Sequence, residues 1–366
     1  MLQSFCENTG EAEVKRMLLA GYYGFGNLGD EAILEMTLKQ IFEITDRKNI
    51  TVLSGNKITT SKRYKVNTID RYNVLSILNA LKSTDVLIFG GGSLLQDVTS
   101  KRSIYYYLFL IRLAKLMNNK VVMLSQGIGP IINEKSIKAV KNTLSLVDYI
   151  TVRDKHSKEF LESIGVDERK IFLSTDPVIN IRKDDSLEYE KQSVRKVCFS
   201  LRNWKDSDVS VKISKVAQRL IDDGIECHFI PFYYKEDLQL IAQVEELLGS
   251  KAVYYKERLS TGDAFDIIKT MDVMVGVRLH SLIFAAAANV PIVAVSYDQK
   301  VDNFVNSVNM KIACTIDNID ENKIYDEIID KINNEREEKI MLLKSVEKLR
   351  ELTNINYKIL KEITNG

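Results

Sequence analysis

The chain has 366 residues, of which 45% are hydrophobic and 28% are charged, and its formal net charge is +1. This length favours two domains, because a single hydrophobic core rarely grows beyond about 250–300 residues. The near-neutral charge argues against a nucleic-acid-binding protein with a broad basic face. Four cysteines without a C-x-x-C pair predict reduced thiols in a cytoplasmic protein, with no disulfide framework and no metal site.

The sequence predicts neither a secretory signal nor a membrane span. Residues 1–16 lack a charged region followed by an apolar stretch, so we expect a short extension there. The longest apolar run, residues 281–295, is shorter than the roughly 18–20 residues that a span requires, and Asn289 and Pro291 interrupt it. We interpret this run as a buried helix followed by a buried strand.

Residues 17–180 are predicted to form a first Rossmann-like domain. Apolar runs of strand length alternate there with amphipathic segments of helix length, which predicts a parallel sheet covered on both faces. The predicted strands are residues 17–21, 50–53, 86–89, 121–125, 150–152 and 171–173, and the predicted helices are residues 30–44, 103–117, 134–147 and 155–164.

The charged residues 181–195 have no apolar periodicity and are predicted to be a linker. A second α/β series over residues 196–319 predicts another Rossmann-like domain, and residues 320–366 predict a charged helical tail that docks back across the domain junction. We therefore predict an α/β protein in which two doubly wound domains face each other across a cleft, as in glycosyltransferase-B (GT-B) folds. Ligands of such folds bind at the carboxyl ends of the strands.

The first glycine motif, residues 22–30 (YYGFGNLGD), follows a predicted strand and opens a helix. Gly24, Gly26 and Gly29 have the G-x-G-x-x-G spacing of dinucleotide-binding loops. A nicotinamide site also needs an acidic residue near the end of the second strand, and residues 55–57 (GNK) contain none. We interpret the loop as a helix N-terminus whose free N–H groups suit an anionic or hydroxyl-rich ligand.

Two more glycine motifs, residues 89–97 (FGGGSLLQD) and 125–130 (SQGIGP), follow apolar strands. Three consecutive glycines allow close approach of a ligand to the backbone, or form a tight turn under a neighbouring loop. Asp97 either accepts hydrogen bonds from a sugar or caps the local backbone.

Several polar residues follow directly after predicted strands. Arg153 is placed either to meet an anion or to pair with Asp154 or another nearby acid. Asp176 is expected at the same edge, and Arg202 repeats the theme in the second half. Trp204 either stacks on a sugar or, in the interpretation we favour, covers the domain surface.

The densest group of candidate residues lies within residues 273–300. A buried strand leads to Arg278, Leu279 and His280, and an alanine-rich helix begins there. A cation, an imidazole and free N–H groups at one helix N-terminus predict an anion site with His280 as proton donor. Of the other histidines, His228 lies in a predicted strand and is expected to be structural, and His156 is expected to be solvated.

Seven stretches together resemble the polysaccharide pyruvyl transferase family, in particular its CsaB-type members, which modify cell-wall polymer precursors. In chain order between residues 21 and 301 they are GYYGFGNLGDEAIL, FGGGSLLQD, SQGIGP, VRD, STDP, VRLHSLIFAAAANVP and SYDQKV. One departure is Gln299, where the similar enzymes have proline; it leaves Lys300 in place.

The resemblance implies a GT-B-like fold and transfer of pyruvate from phosphoenolpyruvate to a hexose. Nothing in the sequence calls for a cofactor or a metal. The resemblance also implies N-acetylmannosamine of a lipid-linked disaccharide as acceptor, a cyclic 4,6-ketal as product, and contact of Arg278, Leu279 and His280 with phosphoenolpyruvate. The carboxylate and phosphate of the donor suit several arginines, so Arg153 and Arg202 are further candidate donor ligands. Tyr297 and Lys300 are expected elsewhere in the cleft.

The first domain is expected to hold the acceptor sugar through backbone N–H groups and polar side chains. The candidate acceptor-binding residues are Gly26, Asn27, Gly29, Asp30, Gly91, Gly92, Ser93, Asp97, Gln126, Gly127 and Asp176.

Two other functions stay open from the sequence: a GT-B glycosyltransferase or sugar-nucleotide epimerase, and a non-catalytic carbohydrate-binding protein.

A lipid-linked acceptor implies that the protein works at the inner face of the cytoplasmic membrane as a peripheral protein. Lys101 and Arg102, followed by the aromatic residues 104–110, are one candidate approach surface, although such stripes more often pack inward.

Overall fold

The computed structural model describes residues 15–98, 101–181, 194–204 and 208–365. Residues 1–14 of the predicted extension and residues 182–193 of the predicted linker lie outside the described residues. The described residues form two α/β domains, each built on a parallel sheet, followed by two C-terminal helices. No helix among them is long and apolar enough to cross a membrane.

The first domain contains a seven-stranded sheet with helices on both faces. Its strands are β1 (Met17–Ala20), β2 (Ile50–Ser54), β3 (Asn67–Asp70), β4 (Val86–Leu95), β5 (Lys120–Ile128), β6 (Tyr149–Val152) and β7 (Ile171–Leu173). Its helices are α1 (Leu28–Phe42), α2 (Lys57–Tyr64), α3 (Val74–Lys82), α4 (Lys101–Leu116), α5 (Glu134–Leu144) and α6 (Lys155–Ser163). The strand order is β3-β2-β1-β4-β5-β6-β7, and all pairs are parallel.

The central strand β1 shows why this sequence forms a sheet that is covered on both sides. Met17 and Leu19 pack into one buried cluster, whereas Leu18 and Ala20 pack into another on the opposite face. Successive side chains of a strand point to opposite faces, so an uninterrupted apolar run requires two cores. The prediction of a doubly covered parallel sheet is confirmed.

Strands β4 and β5 run further than the sequence predicted. They were expected to end at Phe89 and Ser125, but they continue through the glycine motifs to Leu95 and Ile128. Gly91 and Gly92 adopt φ angles of 80° and 90° inside β4, where the register with β5 shifts. The glycines therefore lie within an irregular strand rather than in a turn after it.

The second domain repeats the architecture. Its strands are β8 (Lys196–Ser200), β9 (Glu226–Phe229), β10 (Val253–Tyr254), β11 (Val273–Gly276), β12 (Ile292–Ser296) and β13 (Ile312–Thr315). Its helices are α7 (Val209–Asp222), α8 (Tyr234–Leu248), α9 (Thr261–Lys269), α10 (Leu279–Ala287) and α11 (Gln299–Ser307). The strand order β10-β9-β8-β11-β12-β13 matches that of the first six strands of the first sheet, so the predicted pair of Rossmann-like domains is confirmed.

The C-terminal helices α12 (Glu321–Asn333) and α13 (Glu335–Asn365) join the two domains. Helix α12 packs on α7, whereas α13 reaches back to β5, β6 and β7. There Asn356 donates a hydrogen bond to Ser125 Oγ (2.8 Å) and accepts one from Thr151 (2.6 Å). One buried apolar cluster includes Ala32 of α1 and Leu282 of α10, so the interface between the domains is continuous with their cores.

Candidate active site

A cavity of about 640 Å³ lies between the carboxyl ends of the two sheets. Its volume is typical of small-molecule sites. Loops that follow β1, β6, β8, β11 and β12 contribute to its wall. The predicted site residues that line it are Asn27, Asp30, Gly92, Ser93, Arg153, Arg202, Arg278, Leu279, His280, Tyr297 and Lys300.

Two helix N-termini, one from each domain, meet at this cavity. Asn27 caps α1 by accepting a hydrogen bond from Gly29 N (3.0 Å), and His280 lies in the first turn of α10. The imidazole packs so closely against Gly29 that a Cβ atom there would be 2.0 Å from His280 Nδ1. Because helix N-termini favour negative charge, their convergence suits an anionic ligand.

Buried charged side chains contact His280 and one another. Its Nε2 lies 3.5 Å from Asp176 Oδ2, and Arg153 Nη1 contacts the same oxygen at 3.1 Å. Arg153 Nη2 also donates to Ser93 Oγ (2.8 Å). Burial alone would raise the pKa of Asp176, but His280 and then Arg153 outweigh it and lower that pKa below its ordinary value. Asp176 therefore stays ionised beside the imidazole, and it is the main acid paired with Arg153.

Asp30 has the opposite electrostatic environment, although it lies in the same cluster. Burial raises its pKa to about 7, and the negative charges of Glu31 and Asp176 add to this rise against the opposing effect of His280. Its position in the first turn of α1 favours the ionised form, but burial prevails. Two carboxyl groups with pKa values shifted in opposite directions are typical of a site that needs one fixed charge and one exchangeable proton.

Arg202 keeps hydrogen-bonding capacity for a ligand in the cavity. Its Nη1 donates to Tyr297 Oη (2.8 Å), and the guanidinium lies 4.3 Å from the centre of that ring. Its Nε is buried without a hydrogen-bond partner among the described residues. Lys300 lies over the same ring at 5.0 Å and is 3.3 Å from Asp298.

Arg278, predicted to hold the donor, is already engaged by acidic side chains. Its guanidinium contacts Asp237 Oδ1 at 2.5 Å and Glu236 Oε2 at 2.9 Å. Asp237 in turn accepts hydrogen bonds from the backbone N–H groups of Phe232 and Tyr233 (3.0 and 2.7 Å). Because Leu28 N donates to Phe232 O (2.8 Å), this network secures the loop through which the domains touch.

Sequence reasoning missed these acidic partners because Asp237 precedes Arg278 by 41 positions. The pairing joins the first turn of α8 to the residue that precedes α10, and no local sequence motif predicts it. It gives Arg278 a structural contact that the sequence-based prediction lacked.

Three predicted acceptor residues serve the fold outside the cavity wall. Asp97 accepts hydrogen bonds from Ile132 N and Asn133 N (2.9 and 3.0 Å), which favours its capping interpretation. The buried Gln126 side chain donates to the carbonyl oxygens of Phe89 and Leu124. Gly91 packs against Ile33. We do not assign these three residues to a sugar.

The remaining glycines make room for charged side chains. Gly29 admits the imidazole of His280, and Gly127 admits the guanidinium of Arg153, which a Cβ atom would approach to 2.7 Å. Gly26 lines a separate cavity of about 210 Å³ beside Arg258. Asp176 likewise lines a neighbouring cavity of about 450 Å³. These residues shape the site rather than line the main cavity.

The histidine and tryptophan predictions agree with the positions found. His228 Nδ1 lies 3.2 Å from Tyr255 Oη, a structural contact, and His156 is exposed. Trp204 packs beside Tyr297 and donates to Asp317 Oδ1 (3.0 Å) at the domain surface. Within the described part of the chain, no cluster of three or more His, Cys, Asp or Glu side chains is placed to hold a metal ion.

Sequence reasoning also missed an aromatic end of the cavity. Arg71, Tyr72, Tyr106 and Tyr107 line it, and the two α4 tyrosines come from the run that was expected to pack inward. As expected, most of this run packs inward, since Ile104, Tyr107, Leu108 and Leu110 are buried. Tyr105 and Phe109 are the exceptions, each almost half accessible.

The fold and the cleft define a two-domain protein of the GT-B-like class. Similar solved structures include the S. aureus MnaA–UDP complex, with 13% identity, coverage of 90% of this chain and 91% of that one, and a TM-score of 0.62. Anabaena Alr3699/HepE in complex with UDP and glucose has 11% identity, 96% and 100% coverage and a TM-score of 0.65. A glycosyltransferase from Rickettsia africae has 15% identity, 95% and 98% coverage and a TM-score of 0.63. At these identities the likeness shows the fold alone.

The family follows from the sequence match. The model of the polysaccharide pyruvyl transferase family matches residues 27–299, so the chain belongs to this family. A curated relative is the amylovoran biosynthesis protein AmsJ of Erwinia amylovora, which is 20% identical over 77% of this chain and 74% of its own length. Membership assigns pyruvyl transfer to a polysaccharide and confirms the resemblance inferred from the seven motifs.

Proposed function

We propose that the enzyme transfers pyruvate from phosphoenolpyruvate to a hexose, forms a 4,6-ketal and releases phosphate. The proposed acceptor is N-acetylmannosamine of a lipid-linked cell-wall polymer precursor. The observation that carries the donor assignment is the convergence of Arg153, Arg202 and Lys300 with two helix N-termini around His280. Phosphoenolpyruvate is small and carries both a carboxylate and a phosphate, which match such a concentration of positive charge.

The reaction needs one proton donor and one proton acceptor. Protonation of the donor's methylene carbon creates an oxocarbenium-like centre, and the first sugar hydroxyl attacks it as its own proton leaves. The C–O bond to phosphate then breaks, the second hydroxyl closes the ketal, and its proton departs with phosphate. No oxidant, reductant or metal enters this balance.

His280 is the proposed proton donor to the methylene carbon, with the ionised Asp176 beside it at 3.5 Å. Asp30 is the proposed acceptor of the sugar hydroxyl proton, because a carboxyl group with a pKa of about 7 exchanges protons readily near neutral pH. Arg202, Arg153, Lys300 and Arg278, all of which line the cavity, are the proposed donor-binding cations. Arg278 also positions the Phe232–Tyr233 loop through Asp237.

The direct test is a mass measurement on the product. Purified protein is incubated with phosphoenolpyruvate and an N-acetylmannosamine-terminated lipid analogue, and the expected gain equals pyruvate minus one water, with one phosphate released. Stabilisation against heat by a nucleotide sugar but not by phosphoenolpyruvate would instead favour a glycosyltransferase or epimerase. Acceptor binding without phosphate release would indicate a non-catalytic carbohydrate-binding protein.

Replacing Arg202 by methionine is expected to raise the KM for phosphoenolpyruvate about 10–100-fold, because a lost charged hydrogen bond costs about 1.5–3 kcal/mol. Steady-state kinetics with varied phosphoenolpyruvate measure this. Arg219→Met is the matched control, since Arg219 also stacks on a tyrosine, at 3.8 Å over the Tyr325 ring, but lies outside the cavity. Equal KM values in both variants would remove Arg202 from the donor site.

We propose that the protein is cytoplasmic and works at the inner face of the membrane. Support comes from exposed Tyr105 and Phe109 on the outer face of α4, which begins with two basic residues. Exposed aromatics beside basic residues suit the interface of an anionic bilayer. Sedimentation with anionic liposomes is the test, and a protein that remains in the supernatant would contradict this location.

A further inference from the structure

A cage of aromatic rings surrounds a buried arginine at the first-domain end of the cavity. Arg71 follows β3 directly and is 4% exposed. Its guanidinium carbon lies 4.9–5.7 Å from the centres of five rings, which belong to Tyr22, Phe25, Tyr72, Tyr106 and Tyr107. The electron-rich ring faces compensate part of the buried positive charge. The reaction proposed above does not use this residue.

The guanidinium of Arg71 is only partly satisfied. Its Nη1 donates to Gly21 O (2.8 Å) and its Nη2 to Tyr107 Oη (3.1 Å), but its buried Nε has no hydrogen-bond partner among the described residues. Within the same part of the chain it forms no ion pair with a carboxylate. A buried cation without a counter-ion is energetically costly, so the arrangement is suited to an anion that a ligand brings.

The surroundings of Arg71 also suit a sugar ring. Tyr72 is 67% exposed, and Arg102 at the start of α4 borders the same end of the cavity. A tyrosine offers a rigid apolar face together with a hydroxyl group, and the apolar face of a sugar can stack on it. Phosphoenolpyruvate has its own proposed cations, Arg153, Arg202 and Lys300, so a second positive centre implies a second anionic group.

We propose that the Arg71 subsite, formed by Arg71 with Tyr22, Tyr72, Tyr106 and Tyr107, binds a negatively charged group of the acceptor saccharide. This inference rests on the proposed pyruvyl transfer and specifies the class of its acceptor. The charge can be a phosphate at the reducing end of the saccharide or a carboxylate on a neighbouring sugar. Both present oxygens to a guanidinium in the same way.

Calorimetric titration without phosphoenolpyruvate tests the subsite independently of catalysis. The three probes are methyl N-acetylmannosaminide, N-acetylmannosamine 1-phosphate and methyl glucuronide. We expect at least one charged probe to bind the wild-type protein about tenfold or more tightly than the neutral glycoside, and the stronger of the two charged probes identifies the source of the charge. Arg71→Met is expected to abolish this preference, and Lys82→Ala, at an exposed lysine of α3, is expected to keep it.

Three results would overturn the inference. The first is equal binding of neutral and charged probes by the wild-type protein. The second is an Arg71→Met protein that keeps the preference, and the third is an Arg71→Met protein whose kinetics show a raised KM for phosphoenolpyruvate alone. If Arg71→Met does not fold, the variants Tyr72→Ala and Arg102→Gln, at two exposed residues, decide. Both should weaken binding of the charged probes and leave the KM for phosphoenolpyruvate unchanged. Charge-dependent binding without any pyruvyl transfer would instead contradict the proposed reaction and leave the subsite standing.

Discussion

Replacing His280 by alanine is expected to leave a folded protein whose pyruvyl transfer falls by about 10²–10⁴-fold, the usual contribution of a positioned proton donor. The imidazole is the one proposed group that bridges the two helix N-termini: it belongs to α10 and packs on Gly29 of α1. Its loss removes the proton for the methylene carbon, and it leaves Asp176 without the imidazole at 3.5 Å. Ketal formation and phosphate release measure the activity, and thermal unfolding measures the fold.

Two further variants separate chemistry from packing. His228→Gln replaces a histidine that contacts Tyr255 away from the cavity. The activity of this variant should stay within about twofold of wild type, because the substitution touches no residue of the cavity wall. Gly29→Ala places a Cβ atom where the imidazole now lies, so it should lower kcat by about 10²-fold through displacement of the ring. In the His280→Ala background the same alanine should cost nothing further. Retention of most activity by His280→Ala would exclude the proton-donor role.

The fold was accessible from the sequence because its main signal is local. Runs such as the one in β1 are apolar at every position, and only a strand buried on both faces demands that. Strand β3 lacked this signal: at the edge of the sheet, Asn67–Asp70 has no buried side chain. Strand β4 is longer than predicted, because glycines usually mark turns, whereas here they continue an irregular strand to Leu95.

The site was accessible only where its residues follow strands closely. Arg153 comes directly after β6, Arg202 lies two residues after β8, and His280 lies four residues after β11, so the parallel topology carries their side chains to one edge. Arg71 also follows a strand, but that strand was not recognised, and its aromatic cage assembles from three separate segments. Partners such as Asp237 come from the packing of helices on the sheet, which periodicity does not report.

The continuous interface between the domains explains how Asp30 acquires its unusual environment. Helix α1 packs on α10 across the junction, and Ala32 and Leu282 belong to one buried apolar cluster. An interface continuous with the core resists rigid-body opening. The same packing holds Asp30 beside His280 and Asp176 in a partly desolvated position.

Replacing Asp30 by asparagine is expected to stabilise the protein above neutral pH. The pKa of Asp30 is raised from 3.8 to about 7 in the folded protein, so the folded state holds this proton more tightly than the unfolded chain. Below pH about 4 the group is protonated in both states. Between pH 4 and 7 the unfolded chain ionises first and stability falls, and above pH 7 the loss is constant. Asparagine removes the loss, so unfolding free energy at pH 8 should rise by about 1–3 kcal/mol.

The same Asp30→Asn variant should lose about 10²–10⁴-fold in kcat, because it cannot accept the proton of the sugar hydroxyl. In the wild-type enzyme kcat/KM should rise as pH increases through about 7, the pKa of Asp30, and this acidic limb should vanish in the variant. The comparison needs pH–rate profiles of both proteins together with thermal unfolding at pH 4 and pH 8. A variant with a raised acceptor KM, an unchanged kcat and the wild-type pH profile would show that Asp30 only binds the sugar. The desolvated cleft that raises the pKa of Asp30 also makes its ionised form costly to stability. A proton acceptor in such a site therefore lowers the stability of the protein at the pH where it works.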